Sequence, residues 1–308
     1  MALQGPGWIA GEEVAMKTLI IGCTGKVGSN VMRGLLDQGV KVRCITRSAD
    51  KVGRLPSGIE GRIADLDTPA TLPPVFQGAE SVFLLNAVSP NETKQGLAAV
   101  EASKTADVKK IVYLSVYMPA GSTHIPHFAS KIPVENAIKE SGIAYTILRP
   151  NNFFQNDLML ETPIMNYGVY PQPIGSIGLN RVDVRDIAAC AVNAVMKPGF
   201  EGQTYAIHGP DTLTGEDIAR TYSRHLGRTV RYGGNDLDAW EQQVKNIIPA
   251  WMVRDLRVMY KYFQDHGMVA TADEAEKMQK LLDRKPRAFD DFVKEILSTW
   301  KAAEVRAA

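Results

Sequence analysis

Three glycines, Gly22, Gly25 and Gly28, follow one another at three-residue intervals directly after the apolar run Thr18 to Ile21. That spacing suits a turn that holds an anion. Backbone N–H groups reach a diphosphate only where no Cβ intervenes, and a helix starting near Val27 would direct its partly positive end at the same charge. Thr24, Lys26 and Val27 lie within this turn. At the end of the next β-like run stands Arg47, flanked by Thr46 and Ser48, with Lys51 a turn later and no carboxylate before Asp50. An acidic residue there would take the ribose 2′-hydroxyl of NAD, whereas a guanidinium suits the 2′-phosphate of NADP. One charge-assisted hydrogen bond of about 1.5–3 kcal/mol would favour the phosphorylated coenzyme about ten- to a hundredfold. Asp65, after a third run, can accept from an adenine amino group or serve as a turn residue. Asn86 and Ala87 close a fourth and would lie beneath the nicotinamide ribose.

The elements that must position these groups alternate. Strands are expected at Thr18–Ile21, Val42–Thr46, Arg62–Ala64, Ser81–Leu85, Lys110–Ser115 and Tyr145–Leu148, with helices after the glycine turn, over 91–105 and over 131–141. Such alternation implies an α/β fold, a Rossmann-type doubly wound parallel sheet with its ligand at the carboxyl ends of the strands. Arg149-Pro150-Asn151-Asn152 breaks the alternation, and residues 162–178 are rich in Pro and Gly. A smaller, mostly helical C-terminal lobe is expected to begin there. The division is therefore 1–15 as an N-terminal extension, 16–150 as the nucleotide-binding domain with 180–208 returning to it, and 151–179 with 209–308 as the substrate lobe. Thr214 and Asp217 are spaced as a capping box for a helix ending at Gly227.

Bulk properties narrow the function. Thirty-five Lys and Arg balance thirty-four Asp and Glu, so nucleic acid and anionic membrane surfaces are not expected partners. No apolar run approaches the ~18–20 residues that cross a bilayer. Cys23, Cys44 and Cys190 are scattered, consistent with a reduced, cytoplasmic protein. His124 and His127 are three apart without a visible third ligand, so no metal is expected.

The glycine turn, Arg47, Asp65-Leu66, Tyr113-Leu114-Ser115, Glu135, Tyr145 to Pro150 and Phe153-x-x-Asn156 together resemble the NmrA-like branch of the atypical short-chain dehydrogenases. The similarity extends more softly through Val182 to Ala188, Leu226-Gly227-Arg228 and Phe289 to Phe292. The resemblance implies NADP(H) as cofactor. It also implies an NADPH-dependent reductase that delivers hydride directly to a quinone-like or other conjugated acceptor. A dinucleotide-sensing regulator without turnover and a nucleotide-sugar epimerase or dehydratase are the alternatives. The expected cofactor set is Gly22, Thr24, Gly25, Lys26, Val27, Gly28, Arg47, Lys51, Asp65, Leu66, Asn86, Lys131, Pro150, Asn151 and Phe153.

The larger superfamily uses Tyr-x-x-x-Lys, in which a phenol protonates the developing alkoxide. Here His127-Phe128-Ala129-Ser130-Lys131 stands at the corresponding place, with the lysine present and an imidazole for the phenol. By resemblance Lys131 anchors the nicotinamide ribose and supplies positive charge or a proton, helped by His127 or Tyr117, while Ser115 polarises an acceptor oxygen or caps its strand. Asn152, Phe153, Phe154 and Asn156 would floor the acceptor pocket. Trp240, Trp251, Met252, Met259, Tyr260, Tyr262, Phe263 and Met268 form core or line a cleft suited to a planar, hydrophobic small molecule. A homodimer is left open.

Overall fold

A computed structural model describes residues 17–307; the expected extension over 1–15 lies outside the described residues. The chain begins with β1 (Lys17–Ile21), α1 (Lys26–Asp37), β2 (Lys41–Thr46), α2 (Ala49–Gly53) and β3 (Ile59–Ile63). It continues through α3 (Pro73–Phe76), β4 (Ser81–Leu84), α4 (Glu92–Thr105), β5 (Lys110–Leu114), α5 (Pro126–Ala129), α6 (Ile132–Glu140) and β6 (Ala144–Pro150). Then come α7 (Glu161–Met165), β7 (Val169–Tyr170), α8 (Val184–Met196), β8 (Gln203–Ile207), α9 (Gly215–Leu226) and β9 (Arg231–Tyr232). Four helices close the chain: α10 (Leu237–Val244), α11 (Ala250–His266), α12 (Ala272–Leu282) and α13 (Phe289–Ala307).

Seven strands form one sheet in the order β3-β2-β1-β4-β5-β6-β8, and every pairing in it is parallel. Helices cover both faces, which is why β1 and β4 read as unbroken apolar runs. On one face α1 buries Val27, Val31 and Leu35, spaced at helical period, in a cluster with α8. Each fully buried Val or Leu contributes about 1.5–3 kcal/mol. The strand order reverses between β1 and β4, and a crevice opens at such a switch point, beyond the carboxyl ends of the strands.

The third strand runs Ile59–Ile63, earlier than the expected Arg62–Ala64. It is an edge strand held by charge: Glu60 meets Lys17 at 2.6 Å, Arg43 at 3.0 Å and Arg62 at 2.8 Å. Those polar residues blur where the strand starts in a hydrophobic pattern. The pairing of β7, inside the Pro/Gly-rich region, with β9 after α9 was also not anticipated. The capping box of Thr214 and Asp217 and the left-handed Gly227 form as expected.

The C-terminal helices assemble a second core that includes Tyr222, Trp240, Phe263, Phe289 and Trp300. α12 behaves differently from its neighbours. Its Met278, Leu281 and Leu282 pack beneath α8 and β8 in the sheet's own core.

Candidate active site

Two hollows meet at Leu85 and Asn86, just past β4. One is a groove of about 450 Å³ over the first half of the sheet; the other is a cavity of about 400 Å³ between the sheet and the C-terminal helices.

The groove is lined by Gly22, Thr24, Gly25, Thr46, Arg47, Lys51, Asp65, Leu66 and Asn86. Gly22 adopts φ +82°, and a Cβ on Gly28 would stand 2.1 Å from the Gly22 carbonyl oxygen. The two glycines therefore let α1 start directly behind the turn. Gly25, the N-cap of α1, contributes no side-chain cap, so the first-turn amides remain available for an anion. Arg47 and Lys51 have no ion pair or hydrogen bond through their side chains among the described residues and are free to meet a phosphate. Asn86 is buried, and neither of its amide atoms has a hydrogen-bond partner among the described residues. Such orphaned buried groups call for a ligand. These features fit NADP(H).

Several expected contacts fall elsewhere. Lys26 turns its Nζ away to the Gln155 carbonyl at 2.9 Å, and burial pulls its ammonium below the usual lysine range. Val27 points into the core, leaving only its amide toward the turn. Asp65 accepts from the Asp67 amide through Oδ1 at 3.0 Å, so it is a turn residue as well as a groove residue. Lys131, Pro150, Asn151 and Phe153 line the second cavity, which meets the groove at Leu85 and Asn86. The Asn151 amide is used structurally, donating to the Met268 carbonyl at 2.8 Å and accepting from the Asn152 N–H at 2.7 Å.

The cavity brings Ser115, His127, Lys131, Asn152, Phe153 and Asn156 together with Met159, Met259, Tyr260, Phe263 and Met268. Trp240 and Tyr262 stay in the core, the latter donating to the Ala120 carbonyl. Lys131 is 4% exposed, with Nζ 2.5 Å from Oε1 of Glu92 and 5.8 Å above the Tyr113 ring. Glu92 in turn accepts from Ser130 Oγ at 2.8 Å. His127 pairs through Nδ1 with Oδ1 of Asp255, from α11. His124 instead bonds the Gly121 carbonyl. Glu92 and Asp255 were not foreseen, since each reads locally as an ordinary helix-surface acid.

Ser115 reaches the cavity, but its hydroxyl donates to Glu135 at 2.6 Å, leaving no proton for an acceptor oxygen. Burial would raise the Glu135 carboxyl, yet Arg149 and Ser115 hold it below the ordinary carboxylate range. Tyr117 is excluded from the cavity. Its phenol donates toward Glu274 at 3.1 Å and Val269 O at 3.2 Å, and burial with the nearby Glu274 charge pushes it up. Beneath the cavity floor, fully buried Arg181 pairs with Asp157 at 2.7 Å and donates to Asn152 Oδ1 at 2.9 Å and Phe153 O at 2.8 Å.

A model of the NmrA-like family matches residues 15–293. The chain belongs to the NmrA-like family. Among the relatives of this NmrA-like chain is an NAD(P)H azoreductase of Xenophilus azovorans, 31% identical over 292 residues, covering 92% of this chain and 99% of the relative. Solved structures that share its fold include two reductases. The NADPH-dependent quinone oxidoreductase of Escherichia coli, complexed with NADPH, superposes with a TM-score of 0.81 at 24% identity, covering 92% of this chain and all of that one. The Citrobacter sp. triphenylmethane reductase, complexed with NADP(H), gives 0.80 at 23% identity, covering 91% and 99%. Among the described residues of this NmrA-like protein no helix is long and apolar enough to cross a membrane.

Proposed function

We propose that the chain is an NADPH-dependent reductase of planar, hydrophobic two-electron acceptors, of the quinone or azo class. The observation that carries this reading is the accessible cavity of about 400 Å³ joined to the nucleotide groove at Asn86, with Lys131 and His127 on its wall. A sensor needs only the groove. Methionine and aromatic surfaces adapt to flat molecules of varied outline, and relatives named for azo and quinone reduction support the same class.

The amides of the glycine turn and Thr24 would hold the diphosphate, Arg47 and Lys51 the 2′-phosphate, Asp65 the adenine, and Asn86 with Lys131 the nicotinamide ribose. When bound, NADPH supplies the hydride. Lys131, fixed by Glu92, places positive charge where the acceptor's heteroatom becomes electron-rich. His127 supplies the proton that completes a hydroquinone or a hydrazo product.

Steady-state NADPH oxidation at 340 nm with menadione, a neutral azo dye and a conjugated enone tests the reading. Acceptor-dependent oxidation, with one NADPH consumed per quinone reduced, is the expected result. Micromolar NADPH binding without turnover of any acceptor would favour the sensor.

A further inference from the structure

The acceptor cavity is walled by both halves of the chain, and one imidazole–carboxylate hydrogen bond joins them. His127 stands on α5, its ring edge-on to Phe128 at 4.7 Å between centroids. Its partner Asp255 lies 128 positions later on α11. Asp255, Met259 and Phe263 follow one another at four-residue intervals, so they share one face of that helix, and Met259 and Phe263 line the cavity. Asp255 is 6% exposed. A carboxylate in such apolar surroundings costs stability unless it is paired, and an aliphatic side chain would pack there more favourably. What the carboxylate does contribute is control of the imidazole. It can only accept hydrogen bonds, so Nδ1 of His127 must carry the N–H toward it. Nε2, which has no hydrogen-bond partner among the described residues, is then the nitrogen left for the cavity.

We propose that Asp255 is the positioning residue of proton delivery: it holds His127 so that Nε2 gives its proton to the reduced acceptor, and it does so only while α11 is seated against α5. The inference rests on the reductase reading. NADPH is the reductant and contributes both electrons with the hydride. As the hydride reaches one atom of the quinone or azo group, the Nε2–H bond of the imidazolium breaks. An O–H or N–H bond forms on the acceptor with that proton. Neutral His127 keeps its Nδ1–H on Asp255 and takes a new proton from water.

The test uses the full-length protein and its Asp255→Ala, Asp255→Asn, His127→Ala and Asp255→Ala/His127→Ala variants. With ¹⁵N-labelled histidine and no coenzyme, the parent should show His127 protonated at Nδ1. Asp255→Ala should lose that preference, while Asp255→Asn, which keeps an accepting oxygen, should retain it. In menadione reduction, kcat of Asp255→Ala should fall at least about tenfold, a part of the roughly 10²–10⁴-fold that general-acid assistance contributes. The Kd for NADPH should stay within about twofold, because Asp255 is not part of the nucleotide groove. The double variant should be no slower than His127→Ala, the signature of two residues acting as one unit. Parental kcat in Asp255→Ala, additive losses in the double variant, or an unchanged imidazole signal would overturn the proposal while leaving the reductase reading intact. Should Asp255→Ala not fold, parental kcat in both Asp255→Asn and His127→Ala would overturn it equally. A parent that binds NADPH and reduces no acceptor would instead refute the reductase reading itself, and the positioning role with it.

Discussion

Replacing Lys131 by methionine should cost stability as well as activity, and the two losses can be separated. Glu92 is 1% exposed and relies on two groups, the Lys131 ammonium at 2.5 Å on Oε1 and the Ser130 hydroxyl at 2.8 Å on Oε2. Methionine keeps much of the lysine stem's apolar contact and removes only the charge. Oε1 is then left without a cation, since no hydrogen bond reaches it either. Breaking one side of a buried ion pair costs about 3–5 kcal/mol, most of it the penalty of the stranded partner. Adding Glu92→Gln removes that stranded charge, so the Lys131→Met/Glu92→Gln protein should recover at least about half of the loss. Guanidinium denaturation followed by tryptophan fluorescence measures both steps through the midpoint at unchanged slope. Menadione reduction, by contrast, should stay low in both variants, because neither restores the ammonium. A single variant within about 1 kcal/mol of the parent would refute the energetic reasoning. So would a double variant no more stable than the single one, and recovered turnover in the double variant would remove Lys131 from the chemistry.

Arg47→Ala should weaken NADPH binding about ten- to a hundredfold and leave NADH nearly unchanged, as read by calorimetry with each coenzyme. Gly28→Ala should abolish binding of both, because its Cβ would lie 2.1 Å from the Gly22 oxygen and push the turn away from the helix end; a parental dissociation constant would contradict the geometry. Glu60 supplies a pH signature. Burial acts to raise its carboxyl, but hydrogen bonds from Lys17, Arg43 and Arg62 bring it down to about 2 from an ordinary 4.5. A carboxyl depressed by folding stabilises the native state above its unfolded value and loses that contribution as pH falls through the folded one. Glu60→Gln should therefore flatten the acid limb of stability between about 4.5 and about 2, and a limb that keeps its slope would show that the cluster contributes nothing there.

Much of the nucleotide half was legible because its signals are local. Buried parallel strands read as short apolar runs, and the glycine spacing reports a backbone requirement confined to seven residues. The third strand was expected about three residues late because its start is held by ion pairs instead of apolar burial. In the acceptor half, His127 and Lys131 were visible as residue types, but what makes each of them usable was not. Glu92 sits in the first turn of α4, where an acid is common for helix-dipole reasons alone. Asp255 lies between Arg254 and Leu256 in a helix that otherwise looks like core. Only the fold brings these carboxylates to Lys131 and His127 across 39 and 128 positions. Tyr117 misled for the opposite reason. By resemblance it was expected to help Lys131, while the tertiary structure spends its hydroxyl on the segment entering α12.

The path of α12 bears on how this molecule could be cut. By lodging Met278, Leu281 and Leu282 under α8 and β8, a late stretch of polypeptide completes the hydrophobic interior that the first half began. Truncation after β8 would expose that interior to solvent, so the nucleotide-binding half is not expected to survive as an independent fragment. Folding of the coenzyme platform then waits for nearly the whole chain to leave the ribosome, and a coenzyme-loaded protein without its acceptor chamber should not accumulate.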